Sequence, residues 1–417
     1  MKQYEAVRPD SPALEAATAR PQWRDASASS PIPSEASRWT RLYGGWAVAG
    51  LLALHALRSR PSIVEGEGEC WDPYAGTGYI HRPENGSIRW IPYPPSSSSL
   101  SLSASVELDS TLDPPPEAVA LAAPAYGELL DRLDEESVER ELSWARGKRV
   151  VFVGDSHDRS NVEAWCNRHR SAAAQTQLSV PHYHLKADCL VPSLNLTLSS
   201  WFHYGLAPES DSLPSPTSTN PSDRGWNIPA LPTSRLNENP APYSVEERME
   251  AFWLPDVREV SKPDLIVLNS FFWDLRYFTL HAHHFRRPAP LREWLRPLSY
   301  NELAWHRARV REYVELFRRE FPGVPLMFRL GQSRRDNAHH ANVAVFQLNE
   351  SLRAVLRELD VPVFEWARLI TGESRYNDDQ HLSPGQPAQL WGDMALHYLR
   401  KAVEGRWDVC EKPPRLR

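Results

Sequence analysis

A doubly wound α/β domain, its mostly parallel sheet flanked by helices, is predicted by three observations. Short β-branched and apolar runs recur along the chain, helical stripes fall between them, and the runs open into loops that begin with Gly or Asn. The runs are Lys148 to Val153 (KRVVFV), Asp264 to Leu268 (DLIVL), Pro325 to Leu330 (PLMFRL) and Val361 to Phe364 (VPVF). Such short continuous runs suit strands buried on both faces. Val310, Tyr313, Val314, Phe317 and Phe321 form one helical stripe, and Val345, Leu348, Leu352, Leu356 and Leu359 form another. Strands alternating with helices imply a parallel sheet whose ligands sit beyond the carboxyl ends of the strands, at the loops opened by Gly154, Asn269 and Gly331.

The chain of 417 residues has room for one such domain, residues 146–410, and for long appendages. Proline accounts for 37 residues, well above a typical share of about 5%, and this excess points to disordered tracts. Residues 1–40 are rich in Ala, Ser and Pro without apolar periodicity, and read as a disordered cytosolic tail. Residues 59–145 read as a lead-in with a Ser/Pro linker at 94–118, and residues 207–244 as a Ser/Pro-rich insertion within the domain. The net charge of −6, with no basic block, argues against a nucleic-acid partner.

The longest uncharged run, Leu42 to Leu57, lies between Arg38/Arg41 and Arg58/Arg60. It is at the short edge of the roughly 17 to 25 residues that a bilayer span needs. A single uncleaved anchor over residues 41–58 is preferred to a buried core helix or to a cleaved signal, because about 40 polar residues precede it. Charge bias does not settle its orientation. Cys70, Cys166, Cys189 and Cys410 all follow the run, as do the sequons at Asn85, Asn195 and Asn349. Asn220 is followed by proline and does not count. These features place residues 60–417 in an oxidising lumen and make the chain a type II membrane protein. Four cysteines allow three connectivities. The expectation is Cys166 with Cys189 and Cys70 with Cys410.

Gly154-Asp155-Ser156-His157 follows a predicted strand and precedes a helix-compatible stretch, Arg159 to Arg170. A serine there stands at a helix N-terminus, whose free N–H groups and positive dipole end can stabilise an oxyanion. The alternative is that Asp155 and Ser156 are simple caps. Asp378-Asp379-Gln380-His381 comes after the last predicted strand and before a helix that starts near Gln386. In this D-x-x-H turn, Asp378 can hold one imidazole nitrogen of His381 and leave the other to take the Ser156 proton. The alternative reading is a capping acid and a surface histidine.

The ordered pair of motifs, with Leu268-Asn269-Ser270 and Trp273-Asp274-Leu275 between them, resembles the SGNH (GDSL-like) hydrolases. The likeness is strongest to the plant trichome-birefringence-like polysaccharide O-acetyltransferases and related PC-esterases, and covers about residues 146–405. Cys70 and Trp71, with Trp90 and Tyr93, loosely resemble the lead-in of the plant proteins. The resemblance implies that Ser156 (backbone N–H), Asn269 (side-chain amide) and Gly205 form the oxyanion hole. It also suggests that Arg329 contacts a sugar or acyl donor, or else makes a structural salt bridge, and that Trp273 with neighbouring aromatics meets sugar rings. Phe271 or Phe272 stands where that family's third block has a glycine.

The chemistry so implied is acyl transfer on a glycan, through an acyl-serine, in the secretory pathway, with the Golgi as the expected compartment. It needs an ester-bearing substrate and, for a transferase, an acyl donor, but no metal or organic cofactor. His281, His283 and His284 lack supporting ligands at metal spacing and read as a solvated loop. The rival reading is a non-catalytic glycan-binding or scaffold protein that keeps the fold.

Overall fold

The structure, a computed structural model, describes Val119 and residues 71–82, 88–93, 122–132, 134–169, 175–178, 186–207, 244–284, 296–335, 342–373, 375–378, 381–382 and 385–409. The tail, the run Leu42 to Leu57, the linker, nearly all of the insertion, Cys70, Cys410 and Asn85 lie outside the described residues. No helix among the described residues is long and apolar enough to cross a membrane.

The first described elements are an antiparallel hairpin, β1 (Gly78–His81) and β2 (Arg89–Pro92), then α1 (Tyr126–Arg132) and α2 (Glu135–Glu141). Strand β3 (Arg149–Gly154) leads into α3 (Ser156–Arg168), and β4 (Gln175–Leu178), β5 (Lys186–Val191) and β6 (Leu196–Phe202) form a meander. Helices α4 (Val245–Arg248) and α5 (Leu254–Glu259) precede β7 (Leu265–Leu268) and α6 (Phe272–His284). The chain continues through α7 (Tyr300–Glu320), β8 (Leu326–Arg329), α8 (Val343–Glu358), β9 (Val363–Phe364), α9 (Trp366–Leu369) and α10 (Gln386–Val403).

Strands β3 to β9 form a seven-stranded sheet in the order β4-β5-β6-β3-β7-β8-β9. The pairs from β6 to β9 are parallel, and β5 is antiparallel to both β4 and β6. Val153 lies opposite Trp201 on one side and Leu268 on the other, so three strand ends meet at one edge.

Alternation along β3 divides two cores. Val150 and Phe152 face Trp165 of α3 and Trp391 and Met394 of α10. Val151 and Val153 face Tyr313 and Phe317 of α7 and Leu348 and Leu352 of α8. Each fully buried side chain of this kind stabilises by about 1.5–3 kcal/mol relative to exposure, so a one-residue slip of β3 would disturb both cores at once.

Tyr74, Ile88, Trp90, Leu130 and Leu142, which precede the expected domain start at residue 146, are buried in the α3–α10 core. They fall within one compact unit, Gly68–Arg417. Asp393 of α10 accepts the Gly127 N–H at 2.7 Å, and Asp72 accepts the Tyr398 hydroxyl at 2.9 Å. Strand β6 is paired on both sides, with β5 and β3. The backbone of His281, His283 and His284 is helical, at the end of α6, rather than a loop. Cys166 and Cys189 are joined by a disulfide with Cα atoms 5.5 Å apart, which fastens α3 to β5.

Candidate active site

At the end of β3 the chain must turn sharply into α3. Gly154 permits this, because a Cβ there would lie 1.9 Å from the Asp158 carboxylate. Asp155 is the N-cap, and its Oδ1 accepts the His157 N–H at 2.9 Å, while Asp158 completes a capping box by reaching back to the Asp155 N–H. Ser156 is the first helical residue, so its own N–H has no intrahelical acceptor.

A buried cation locks this turn. Arg329, at the end of β8, donates from Nε to Asp158 Oδ1 at 2.6 Å and from Nη2 to Asp158 Oδ2 at 2.8 Å. It also approaches Asp155 Oδ1 at 3.5 Å. Burial opposes the charge of Asp155, but the neighbouring His157 and Arg329 hold its carboxyl well below the usual range. Arg329 is fully buried, so its expected contact with a sugar or acyl donor is corrected to the structural salt bridge.

The partner arm arises after β9, where Tyr376 and Leu382 form an isolated antiparallel bridge around a turn. Within it, Asp378 Oδ1 accepts the His381 N–H at 2.7 Å and Asp378 Oδ2 lies 2.7 Å from His381 Nδ1. His381 Nε2 is 2.7 Å from Ser156 Oγ. Burial, and then the neighbouring His157, push the His381 ring below its ordinary pKa, and Asp378 pulls the other way. The neutral ring then donates from Nδ1 to Asp378 and presents its Nε2 lone pair to the serine hydroxyl.

His157 lies beneath this pair. Its ring stacks on His381 with centroids 4.6 Å apart and planes 21° apart, and Phe272 covers its other side at 4.5 Å and 28°. Asp155 Oδ1 lies 2.9 Å from its Nδ1.

The expected oxyanion donors other than Ser156 are placed differently. Asn269, at the end of β7, is buried, and its Nδ2 donates to the Arg329 carbonyl at 2.8 Å. An amide has two N–H bonds, so one remains for another acceptor. Gly205 has φ +89°, and its N–H donates to His203 Nδ1 at 3.1 Å. It is therefore committed to a local turn, and the oxyanion role is corrected on that ground.

His203 acts as a clamp. Burial keeps its ring below the ordinary pKa, and Nε2–H donates to the Asn269 carbonyl at 2.7 Å. The His203 N–H donates to the Gly154 carbonyl at 2.8 Å, so one residue binds the ends of β3, β6 and β7. Trp273 is half-buried against Tyr204, ring centroids 5.0 Å apart and planes perpendicular, and against Phe202 at 6.2 Å.

Of the sequons, Asn195 is exposed in the turn before β6. Asn349 is inside α8, where its Oδ1 accepts the Gly331 N–H at 3.0 Å and its Nδ2 donates to the Gly331 carbonyl at 2.8 Å. That atom is the one a glycan would need. Sequence reasoning assigned no role to His157, Asp158 or His203. The only available signal was the alternation of acid and imidazole in Asp155-Ser156-His157-Asp158.

No family model matches the chain, and no curated protein matches it. Similar solved structures include an acetylxylan esterase from Geobacillus stearothermophilus, 10% identical over 61% of this chain and 95% of that one, with a TM-score of 0.32. A carbohydrate esterase family 2 enzyme with a carbohydrate-binding domain, from Corynascus thermopiles, is 14% identical over 63% of this chain and 68% of that one, at 0.31. A peptidoglycan O-acetylesterase is 10% identical over 68% and 99%, at 0.28. At scores this low the likeness decides nothing about this chain, whose site stands on its own geometry. That geometry matches the layout implied by the SGNH resemblance: an α/β sheet with the serine after an interior parallel strand and the D-x-x-H turn after the last strand.

Proposed function

We propose that the chain is an SGNH-type serine hydrolase or acyltransferase that acts on ester groups, with Ser156 as nucleophile, His381 as base and Asp378 as its orienting acid. One observation carries this: the continuous hydrogen-bonded path from Ser156 Oγ through both imidazole nitrogens to the Asp378 carboxylate, each step 2.7 Å. His381 Nε2 takes the hydroxyl proton as Oγ bonds to the ester carbonyl carbon. The negative oxygen that forms faces the Ser156 N–H at the α3 N-terminus. Collapse breaks the ester C–O bond, and His381 returns the proton to the departing alcohol. Water or a sugar hydroxyl then attacks the acyl-serine with the same base, giving hydrolysis or transfer.

An O-acetylated glycan is the substrate class that the sequence resemblance implies, and transfer would require an acyl donor. The Cys166–Cys189 bridge and the exposed Asn195 sequon support a lumenal location, and the run Leu42 to Leu57 supports a single anchor there. The test is turnover of p-nitrophenyl acetate by the purified full-length protein and by its Ser156→Ala variant. Ser156-dependent release of nitrophenol is expected. Equal rates in the two proteins would leave the scaffold reading in its place.

A further inference from the structure

His381 stands on a turn, not on a helix or strand, and the carboxylate that orients it has a side chain 56% exposed. Its two side-chain hydrogen bonds, to Asp378 and to Ser156, leave from ring nitrogens in the plane of the ring. Both partners are atoms on rotatable side chains, so these bonds can follow small tilts of the ring rather than oppose them. A contact on the face of the ring opposes such tilts, and that face rests on His157. His157 itself cannot tilt freely. Its main chain belongs to the first turn of α3, Asp155 Oδ1 holds both its N–H and its Nδ1 at 2.9 Å, and Phe272 of α6 covers its far side.

We propose that His157 is a positioning residue for the acyl-transfer reaction, a buried flat ring that sets the plane of His381 so that Nε2 points at the Ser156 hydroxyl. The inference rests on the assignment of Ser156 and His381 made above. The strand end that presents the nucleophile thereby also presents the surface against which the base is aligned. Serine and base are registered to one rigid corner even though the base belongs to a distant exposed turn. The charged and titratable groups that face His381 are Asp378 from its own turn and Asp155 and His157 from the start of α3. Phe272, from α6, adds none.

The test compares His157→Ala, which removes the face, His157→Leu, which fills the volume without a flat ring, and His157→Phe, which restores the ring. With p-nitrophenyl acetate and the full-length protein, the Ala and Leu variants should lose about tenfold or more in kcat with little change in KM, the cost of a misaligned base. The Phe variant should recover most of that loss. The acid limb of its pH profile should move to higher pH, because His157 holds the His381 pKa down. Thermal melting of all three separates misalignment from unfolding, and where Ala does not fold, the Leu and Phe pair decides. Wild-type kcat in a folded Ala or Leu variant, or a folded Phe variant as slow as Leu, would overturn the proposal. Failure of the catalytic assignment looks different, as turnover that ignores Ser156→Ala. In that case titration of the His381 imidazole, followed by NMR in wild type and His157→Phe, still decides. A raised pKa in the variant supports the contact and an unchanged one overturns it.

Discussion

The two arms of the candidate site are built by opposite means. Ser156 stands at the junction of a buried strand and a helix, with a capping box above it and the Arg329–Asp158 ion pair behind it. Asp378 and His381 stand on a surface turn, ordered by their mutual hydrogen bonds and one stacked ring. The position of Ser156 is therefore part of the fold's stability, whereas the arm that carries His381 can change with little effect on the fold. Substitutions in the first arm should cost both activity and stability unless they touch only the hydroxyl, and those in the second should cost activity alone.

The largest expected effect comes from the hydroxyl. Ser156→Ala should lower kcat/KM for p-nitrophenyl acetate at least about a thousandfold, with the melting temperature nearly unchanged. Adding His381→Ala should reduce it little further, because a nucleophile and its base act as a unit. Independent, multiplying losses would break the assignment of the two arms to one reaction.

Next is the buried pair behind the serine. Arg329→Met removes the cation but leaves Asp158 and Asp155 buried with it gone, which should cost about 3–5 kcal/mol. For a unit of this size that is a fall of about 10 °C in melting temperature. A variant that melts like wild type would show that the nucleophile arm is not locked in this way.

These two effects also divide what the sequence could and could not reveal. Ser156, Asp378 and His381 were legible because each is a local signal: a polar block at the end of an apolar run, and an acid three residues before a histidine. The parallel strands were legible for the same reason, since β3, β7 and β8 are continuous apolar runs. Strands β4 and β5 and the packing of residues 72–145 were not, because β4 and β5 (QTQL and KADCLV) are short and mix polar with apolar residues, and the lead-in segments find their core only across long sequence distances. Arg329 left two readings open in the sequence, and only its burial against Asp158, 171 residues away, selects between them. Gly205 shows the limit of motif transfer: the residue type fits, but its N–H is already given to His203, whereas Asn269 keeps one amide N–H beyond the bond to the Arg329 carbonyl.

A third effect concerns how α3 is anchored. The disulfide from Cys166 to Cys189 spans 23 residues and ties the helix carrying Ser156 to β5. Replacing both cysteines with alanine should cost about 3 kcal/mol, mainly by freeing the unfolded chain, with kcat little changed because the first turn of α3 keeps its own cap and ion pair. Denaturant melts of the oxidised protein and the double variant check this. A large fall in kcat would mean that the corner around Ser156 depends on the far end of its helix.

The smallest expected effect lies in the exposed arm, and it has a definite sign. A base catalyst works only when unprotonated, so kcat/KM should rise with pH through the pKa of His381 in the free enzyme. Burial, and then His157, hold that pKa below the ordinary histidine value of about 6.5, so the acid limb should lie on the acid side of it. Asp378 favours the protonated ring, so Asp378→Asn should move the limb to still lower pH while lowering the plateau, because the amide no longer stabilises the imidazolium formed in the transition state. The plateau loss should be on the order of tenfold, well below what a buried acid in this role costs, since water screens the charge of a half-exposed carboxylate. A limb that moves to higher pH in Asp378→Asn would mean that another carboxylate, not Asp378, sets the protonation of His381.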